Sequence, residues 1–131
     1  MDIRSAVDYG LARRAALVDL AAGRSSRLEA CDADPYLLRA ARYHGEDLPY
    51  PCPVCRHRRL RSVHYAFGDA LKDASGRARR ARQLESLARS YPDVTVYLVE
   101  VCPDCAWNHL LRTFVIGTTA TSAAATGTGR D

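Results

Sequence analysis

The chain has 131 residues, 47% hydrophobic and 26% charged, with 8 Gly and 6 Pro, a composition that excludes bulk disorder and collagen-like repeats. No apolar run reaches the roughly 20 residues of a membrane helix, and Met1-Asp2-Ile3-Arg4 lacks the basic-then-apolar order of a secretory signal, so a cytoplasmic chain with no membrane partner is expected. The formal charge of +4 is uneven: residues 1–51 carry 7 basic and 8 acidic side chains, 52–91 carry 10 and 3, and 92–131 carry 2 and 4, so the excess is a patch built almost wholly of Arg.

In chain order, Ile3, Val7, Leu11, Val18 and Ala22 recur at helical spacings, with Leu17, Leu20 and Ala21 widening the stripe. They predict an amphipathic helix over 3–22 that stops at Gly23. Ser26-Arg27-Leu28-Glu29 fits a capping box, in which a hydroxyl and a carboxylate exchange hydrogen bonds with free backbone N–H groups, and it opens a short helix to Cys31. Asp34 caps a third helix, with Pro35 at its first position, Gly45 as its stop, and Tyr36, Leu37, Ala40, Ala41 and Tyr43 on its buried side. Residues 1–48 therefore read as a three-helix unit. Pro49, Pro51 and Pro53 make a stiff extended connector beyond it, with a domain boundary near residue 48.

The alternation of Val63, Tyr65 and Phe67 predicts a half-buried strand closed by Gly68. The run from Val94 to Val101 predicts a stronger strand, apolar on both faces, and Phe114-Val115-Ile116 a third. Between the first two, Arg77 to Tyr91 reads as a helix with Ala78, Ala81, Leu84, Leu87 and Tyr91 on one stripe, stopped by Pro92. Residues 117–131, almost wholly Gly, Ala, Ser and Thr, cannot bury enough surface to offset their ordering entropy and are expected to be a disordered tail. The expected fold class is α+β: the helical unit, then a zinc ribbon over 49–116, a three-stranded antiparallel sheet with a helical insertion at 77–91.

The chemistry-bearing pattern is a repeated one, Cys52-Pro53-Val54-Cys55 and Cys102-Pro103-Asp104-Cys105. Each Cys-x-x-Cys turn offers two thiolates from one knuckle, and two knuckles complete the tetrahedron that Zn²⁺ prefers. Disulfides would require an oxidising compartment. Redox centres of the thioredoxin type carry one such pair at a helix start rather than two matched pairs. Four sulfurs leave no open coordination position, the pattern of one structural zinc ion rather than a catalytic one. A set of three Cys with His57, His64 or His109 is the lesser alternative. The 46 residues between Cys55 and Cys102 exceed the usual spacing, and the helical insertion accounts for much of the excess. Cys31 reads as a small buried apolar side chain, and Trp107 as a cap on the core beside the metal.

Arg56, Arg58, Arg59 and Arg61 follow the first pair at once, and Arg77, Arg79, Arg80, Arg82 and Arg89 lie on the insertion. They either neutralise the zinc–thiolate charge and lie solvated, or form a nucleic-acid face on elements the ribbon holds together. A second route to nucleic acid is a helix-turn-helix in which Arg39, Arg42 and His44 face the groove, although the acidic start of that helix favours a plain packing unit or a protein-binding face. Phosphate-cradling Gly-rich loops, nucleophile elbows and paired catalytic carboxylates are missing, so no enzyme and no small-molecule substrate are expected.

The segments Ser26 to Ala41, Cys52 to Cys55 and Val101 to Cys105 resemble a family of small actinobacterial proteins of unknown function, over most of residues 11–116. That resemblance implies the architecture and no activity. The cysteine-bearing part also resembles the zinc ribbons of transcription and translation factors. The expectation is a non-enzymatic zinc-binding module of the gene-expression machinery that binds nucleic acid. The alternatives are a protein-protein adaptor on RNA polymerase or the ribosome, and a zinc–thiol redox sensor.

Overall fold

A computed structural model of the chain describes residues 1–119. The elements are β1 (Arg4–Asp8), α1 (Gly10–Ala21), α2 (Arg27–Ala30), α3 (Pro35–His44), β2 (Glu46–Pro51), β3 (Arg59–Phe67), a 3-10 segment (Asp69–Ala74), β4 (Arg77–Arg79), α4 (Ala81–Ser90), β5 (Val94–Val101) and β6 (Asn108–Ile116). The six strands make one antiparallel sheet in the order β1-β6-β5-β3-β2, with β4 pairing β3 as well. β2 takes the first half of β3 and β4 the second half, so both share its outer edge.

The expected strands at the centre form because β-branched and aromatic side chains pack on a pleated surface. β3 and β5 pair without interruption from Arg61 opposite Val101 to Phe67 opposite Thr95. Since side chains alternate across a strand, Val63 and Val101 face one side and Ala66 and Val96 the other. α3 covers the first side with Ala41, Leu37, Leu38 and Ala40. On the other side, Leu84 and Leu87 of α4, with Leu71, pack on Ala66, Val94, Val96, Phe114 and Ile116. Leu60 lies six residues before Ala66 on the same side, and there it packs with Cys52, Cys102 and Trp107 against Ala16 and Leu17 of α1.

Both caps read from the sequence are present. The Glu29 N–H donates to Ser26 Oγ at 3.1 Å while the Ser26 N–H donates to the Glu29 carboxylate at 2.8 Å, and the Leu37 N–H donates to Asp34 Oδ1 at 2.8 Å.

Elsewhere tertiary pairing overrides local pattern. The expected helix over 3–22 begins only at Gly10: Arg4–Asp8 is a strand that completes the edge of β6, with the Tyr9 N–H donating to the Leu111 carbonyl at 2.9 Å. Arg4 fixes that strand by donating to the Gly117 carbonyl at 2.6 Å and to Asp93 Oδ1 at 2.7 Å. The proline connector is β2, an edge strand whose register breaks between Asp47 and Pro51, where Pro49 and Pro51 lack donors. Residue 48 therefore falls inside a strand, and the three helices pack on a sheet drawn from the whole chain instead of forming a unit of their own. The sheet has six strands rather than three, and the insertion opens with β4 before α4. Of the expected tail, Thr118 is bridged to Pro92, and the residues from 120 onward lie outside those described. No helix among the described residues is long and apolar enough to cross a membrane.

Candidate metal centre

The antiparallel register of β3 and β5 decides where the cysteines meet. Cys52 to Cys55 lies in the turn between β2 and β3, and Cys102 to Cys105 in the turn between β5 and β6. Because Arg61 stands opposite Val101, both turns project from the same end of the sheet.

The two turns have similar backbones, the first closing one residue later than the second. In the first, the Cys52 N–H donates to the Arg58 carbonyl at 2.8 Å and the Arg56 N–H donates back to the Cys52 carbonyl at 3.1 Å. In the second, the Cys102 N–H donates to the Trp107 carbonyl at 2.8 Å and the Ala106 N–H donates to the Cys102 carbonyl at 3.0 Å. The residue after each second cysteine is left-handed, Arg56 at φ 59° and Ala106 at φ 71°, a conformation that normally favours glycine. N–H groups of the turns point at the sulfurs: Val54 toward Cys52 at 3.3 Å, His57 toward Cys55 at 3.5 Å and Cys105 toward Cys102 at 3.4 Å.

The four sulfurs lie within 4.8 Å of one another. Cys52 and Cys105 are 3.6 Å apart and Cys55 and Cys102 are 3.7 Å apart. A tetrahedron with Zn–S bonds of about 2.3 Å has edges of about 3.8 Å, so the spacing fits a metal ion and is compatible with zinc. Burial pushes the Cys102 thiol above its ordinary value, against the N–H groups of Cys105 and Asp104. Burial also raises Cys105, with the thiols of Cys52, Cys31 and Cys102 adding to it and the Trp107 N–H opposing. For Cys55 burial acts the same way but is outweighed by the His57 N–H, the Cys102 side chain and the Arg58 N–H, which bring this thiol below its ordinary value. A cation among them would supply the charge that lets all four ionise together.

The inner wall is sealed. Cys52 and Cys102 are fully buried, and Trp107 is 2% exposed against Leu60 and α1. Its indole N–H donates to Glu100 Oε2 at 2.8 Å, and the same oxygen accepts from Arg13 Nε of α1 at 2.6 Å. Glu100 is fully buried, so the Arg13 guanidinium provides its countercharge. Neither residue stood out in the sequence; a lone carboxylate inside the apolar run Val94 to Val101 was the available signal.

A family model described as "Family of unknown function (DUF5318)" matches residues 1–130. The chain belongs to this family. Its relatives include the "Uncharacterized protein Rv0049" of Mycobacterium tuberculosis (strain ATCC 25618 / H37Rv) and the "Uncharacterized protein Mb0050" of Mycobacterium bovis. Each is 42% identical over 123 residues, covering 94% of this chain and 90% of the relative. No solved structure matches the chain. The actinobacterial resemblance read from residues 26–41 and the two cysteine pairs is thus confirmed at the level of the family.

In this DUF5318 protein the nine arginines expected to share one face do not. Arg61 caps the end of α3, donating to the carbonyls of Ala41 at 2.8 Å and Gly45 at 2.7 Å and pairing with Asp47 at 2.5 Å. Arg80 donates to the Tyr43 carbonyl at 2.6 Å, Arg79 to the Ala74 carbonyl at 3.1 Å, and Arg89 pairs with Glu85 at 3.9 Å. Arg61, Arg79 and Arg80 serve the fold, whereas Arg89 makes only an exposed pair within α4. Arg56, Arg58, Arg59, Arg77 and Arg82 are exposed, and their guanidinium groups make no hydrogen bond or ion pair among the described residues. Even these are divided: Arg77 pairs opposite Ala66, seven residues and about 23 Å along β3 from Arg59. Only Arg56, Arg58 and Arg59 belong to the cysteine turn. His64 lies on β3 opposite Leu98 and Arg79, away from the sulfurs. His109 stacks on Trp107 with ring centroids 6.0 Å apart, whereas His57 and Asp104 sit 4.0 Å apart on the outer rim. α2 has four residues and α3 lies flat on the sheet, which leaves the helix-turn-helix reading without support. Cys31, read as an inert apolar side chain, has its sulfur 3.7 Å from that of Cys105.

Proposed function

We propose that the chain is a non-enzymatic, cytoplasmic zinc-binding module of the transcription or translation machinery. One structural Zn²⁺ on Cys52, Cys55, Cys102 and Cys105 holds the first turn in a shape that presents Arg56, Arg58 and Arg59 to nucleic-acid phosphate. The observation that carries this reading is the close grouping of four sulfurs, all within 4.8 Å of one another, on two similar turns, beside three exposed guanidiniums that serve no other group among the described residues. A closed set of four sulfurs has no position for a substrate, which favours structure over catalysis.

Elemental analysis of anaerobically purified protein should return one zinc per chain. Binding to duplex DNA and to RNA should weaken steeply with salt, at about one unit of log–log slope for each of the arginines engaged on a duplex. Arg58→Glu with Arg59→Glu should abolish it, while Arg77→Glu should have little effect. Salt-independent binding, or none, would refute the nucleic-acid part, and a well-ordered metal-free protein would refute the zinc part.

An adaptor role on RNA polymerase or the ribosome is the second reading, favoured by apolar side chains left exposed along β1, α1 and α2: Leu11 at 78% and Leu28 at 88%, with Ile3, Val7 and Val18 about half exposed. A tagged copy should then recover the machine after nuclease treatment.

A further inference from the structure

We infer that Cys31 and Cys105 are the oxidation-sensitive pair of this protein, joined as a disulfide by a two-electron oxidant of the hydroperoxide class; the consequence, withdrawal of one ligand from the metal, rests on the zinc reading above. The placement of Cys31 is built by several independent contacts. The capping box sets α2 so that Cys31 closes it, with the Cys31 N–H donating to the Arg27 carbonyl at 2.7 Å. The following turn is tied to the second knuckle by the Ala33 N–H, which donates to the Ala106 carbonyl at 3.0 Å, and by Asn108 Nδ2, which donates to Asp32 Oδ1 at 2.9 Å. These bonds bring the Cys31 sulfur to 3.7 Å from Cys105 while leaving it outside the four-sulfur group.

Access is equally selective. Cys52 and Cys102 are fully buried, whereas Cys31, Cys55 and Cys105 line a surface cavity of about 420 Å³ together with Arg27, His57 and Asp104. An oxidant entering there meets Cys31 and Cys105 side by side, with donors from Arg27 and His57 on the rim. In the first step the Cys31 sulfur attacks the O–O bond of hydrogen peroxide: a sulfenic acid forms and one oxygen leaves as water, taking the thiol proton. In the second step the Cys105 thiolate attacks the sulfenic sulfur, the S–S bond forms, and hydroxide leaves. Both thiols are oxidised by one electron each in sum and the peroxide is reduced by two. The two sulfurs need to close by about 1.7 Å to reach the bond length of a disulfide. Cys105, once bonded to Cys31, is no longer an anionic ligand.

The test exposes zinc-loaded protein to hydrogen peroxide and follows three readouts: intact mass, metal release to a chromogenic chelator, and disulfide mapping after cleavage before Asp104, which separates Cys102 from Cys105. The expected result is loss of two hydrogens, a link between the Cys31 and Cys105 peptides, and metal release about tenfold slower in Cys31→Ser. Links confined to Cys52, Cys55, Cys102 and Cys105, or equal rates of release from parent and variant, would overturn the proposal. If the isolated protein carries no metal, the zinc reading fails, and mapping on that same protein still decides whether Cys31 and Cys105 pair.

Discussion

The two knuckles share most of a backbone turn and one buried cluster with Leu60, and differ on their outer sides. Both carry an N–H bond back to the first cysteine's carbonyl, a left-handed residue after the second cysteine and N–H groups aimed at sulfur, although the first loop closes one residue later. Yet the second is walled in by Trp107, Glu100 and Arg13, while the first ends in exposed Arg56, His57, Arg58 and Arg59. Ligand geometry is a local property of the turn, whereas the role of each turn is set by its neighbours. Each knuckle anchors its first cysteine in the core, and only the first continues into exposed arginines.

On the proposed zinc reading, removing the metal or replacing a buried cysteine should erase both knuckles together and so collapse the comparison. Structural zinc supplies roughly 10 kcal/mol or more of apparent binding free energy, so chelation or Cys102→Ser should abolish cooperative thermal unfolding and amide protection at that end of the sheet. A more discriminating pair is Trp107→Ala and His57→Ala, each five residues after the first cysteine of its knuckle. The first should cost about 3–5 kcal/mol in denaturant unfolding because it opens a cavity against Leu60 and α1. The second, on a side chain 78% exposed, should change stability little. Arg13→Ala should cost about 2–3 kcal/mol by leaving Glu100 buried without its countercharge, and adding Glu100→Gln should restore part of the loss. Smaller still, Ala106→Gly and Arg56→Gly should each stabilise by about 0.5 kcal/mol, as relief of left-handed strain slightly exceeds the added chain entropy. Unequal gains would mean that the two backbones are not equivalent.

Away from both knuckles, His64 provides a pH readout. Burial holds its imidazole below the ordinary value, with Glu46 opposing. Folding thus favours the neutral ring: its contribution is present above the unfolded value of about 6.5 and is lost as pH falls below it toward the folded value. The difference in stability between parent and His64→Asn should therefore shrink or reverse between about pH 7 and 5.

How much was legible differs by element for physical reasons. The capping box at Ser26, the Asp34-Pro35 start and the Val94 to Val101 strand are local devices, satisfied within a few residues, and each formed as read. The segment Arg4–Asp8 has helical spacing but pairs with β6, because an edge of backbone donors and acceptors outweighs the weak preference of five residues. The arginines misled for a related reason. Adjacency in sequence said nothing of the α3 carbonyls that Arg61 and Arg80 satisfy, or of the length of β3 that parts Arg59 from Arg77.

The sequence by itself determined the four candidate sulfurs, their pairing into two knuckles and the helix caps, since each depends on chemistry and spacing within a handful of residues. Only the tertiary structure decided that the two knuckles meet, that Glu100 and Arg13 wall one of them, that three arginines rather than nine belong to the other, and that Cys31 stands beside Cys105. These are contacts between residues up to 87 positions apart, and they follow from strand register and helix packing that no local pattern encodes.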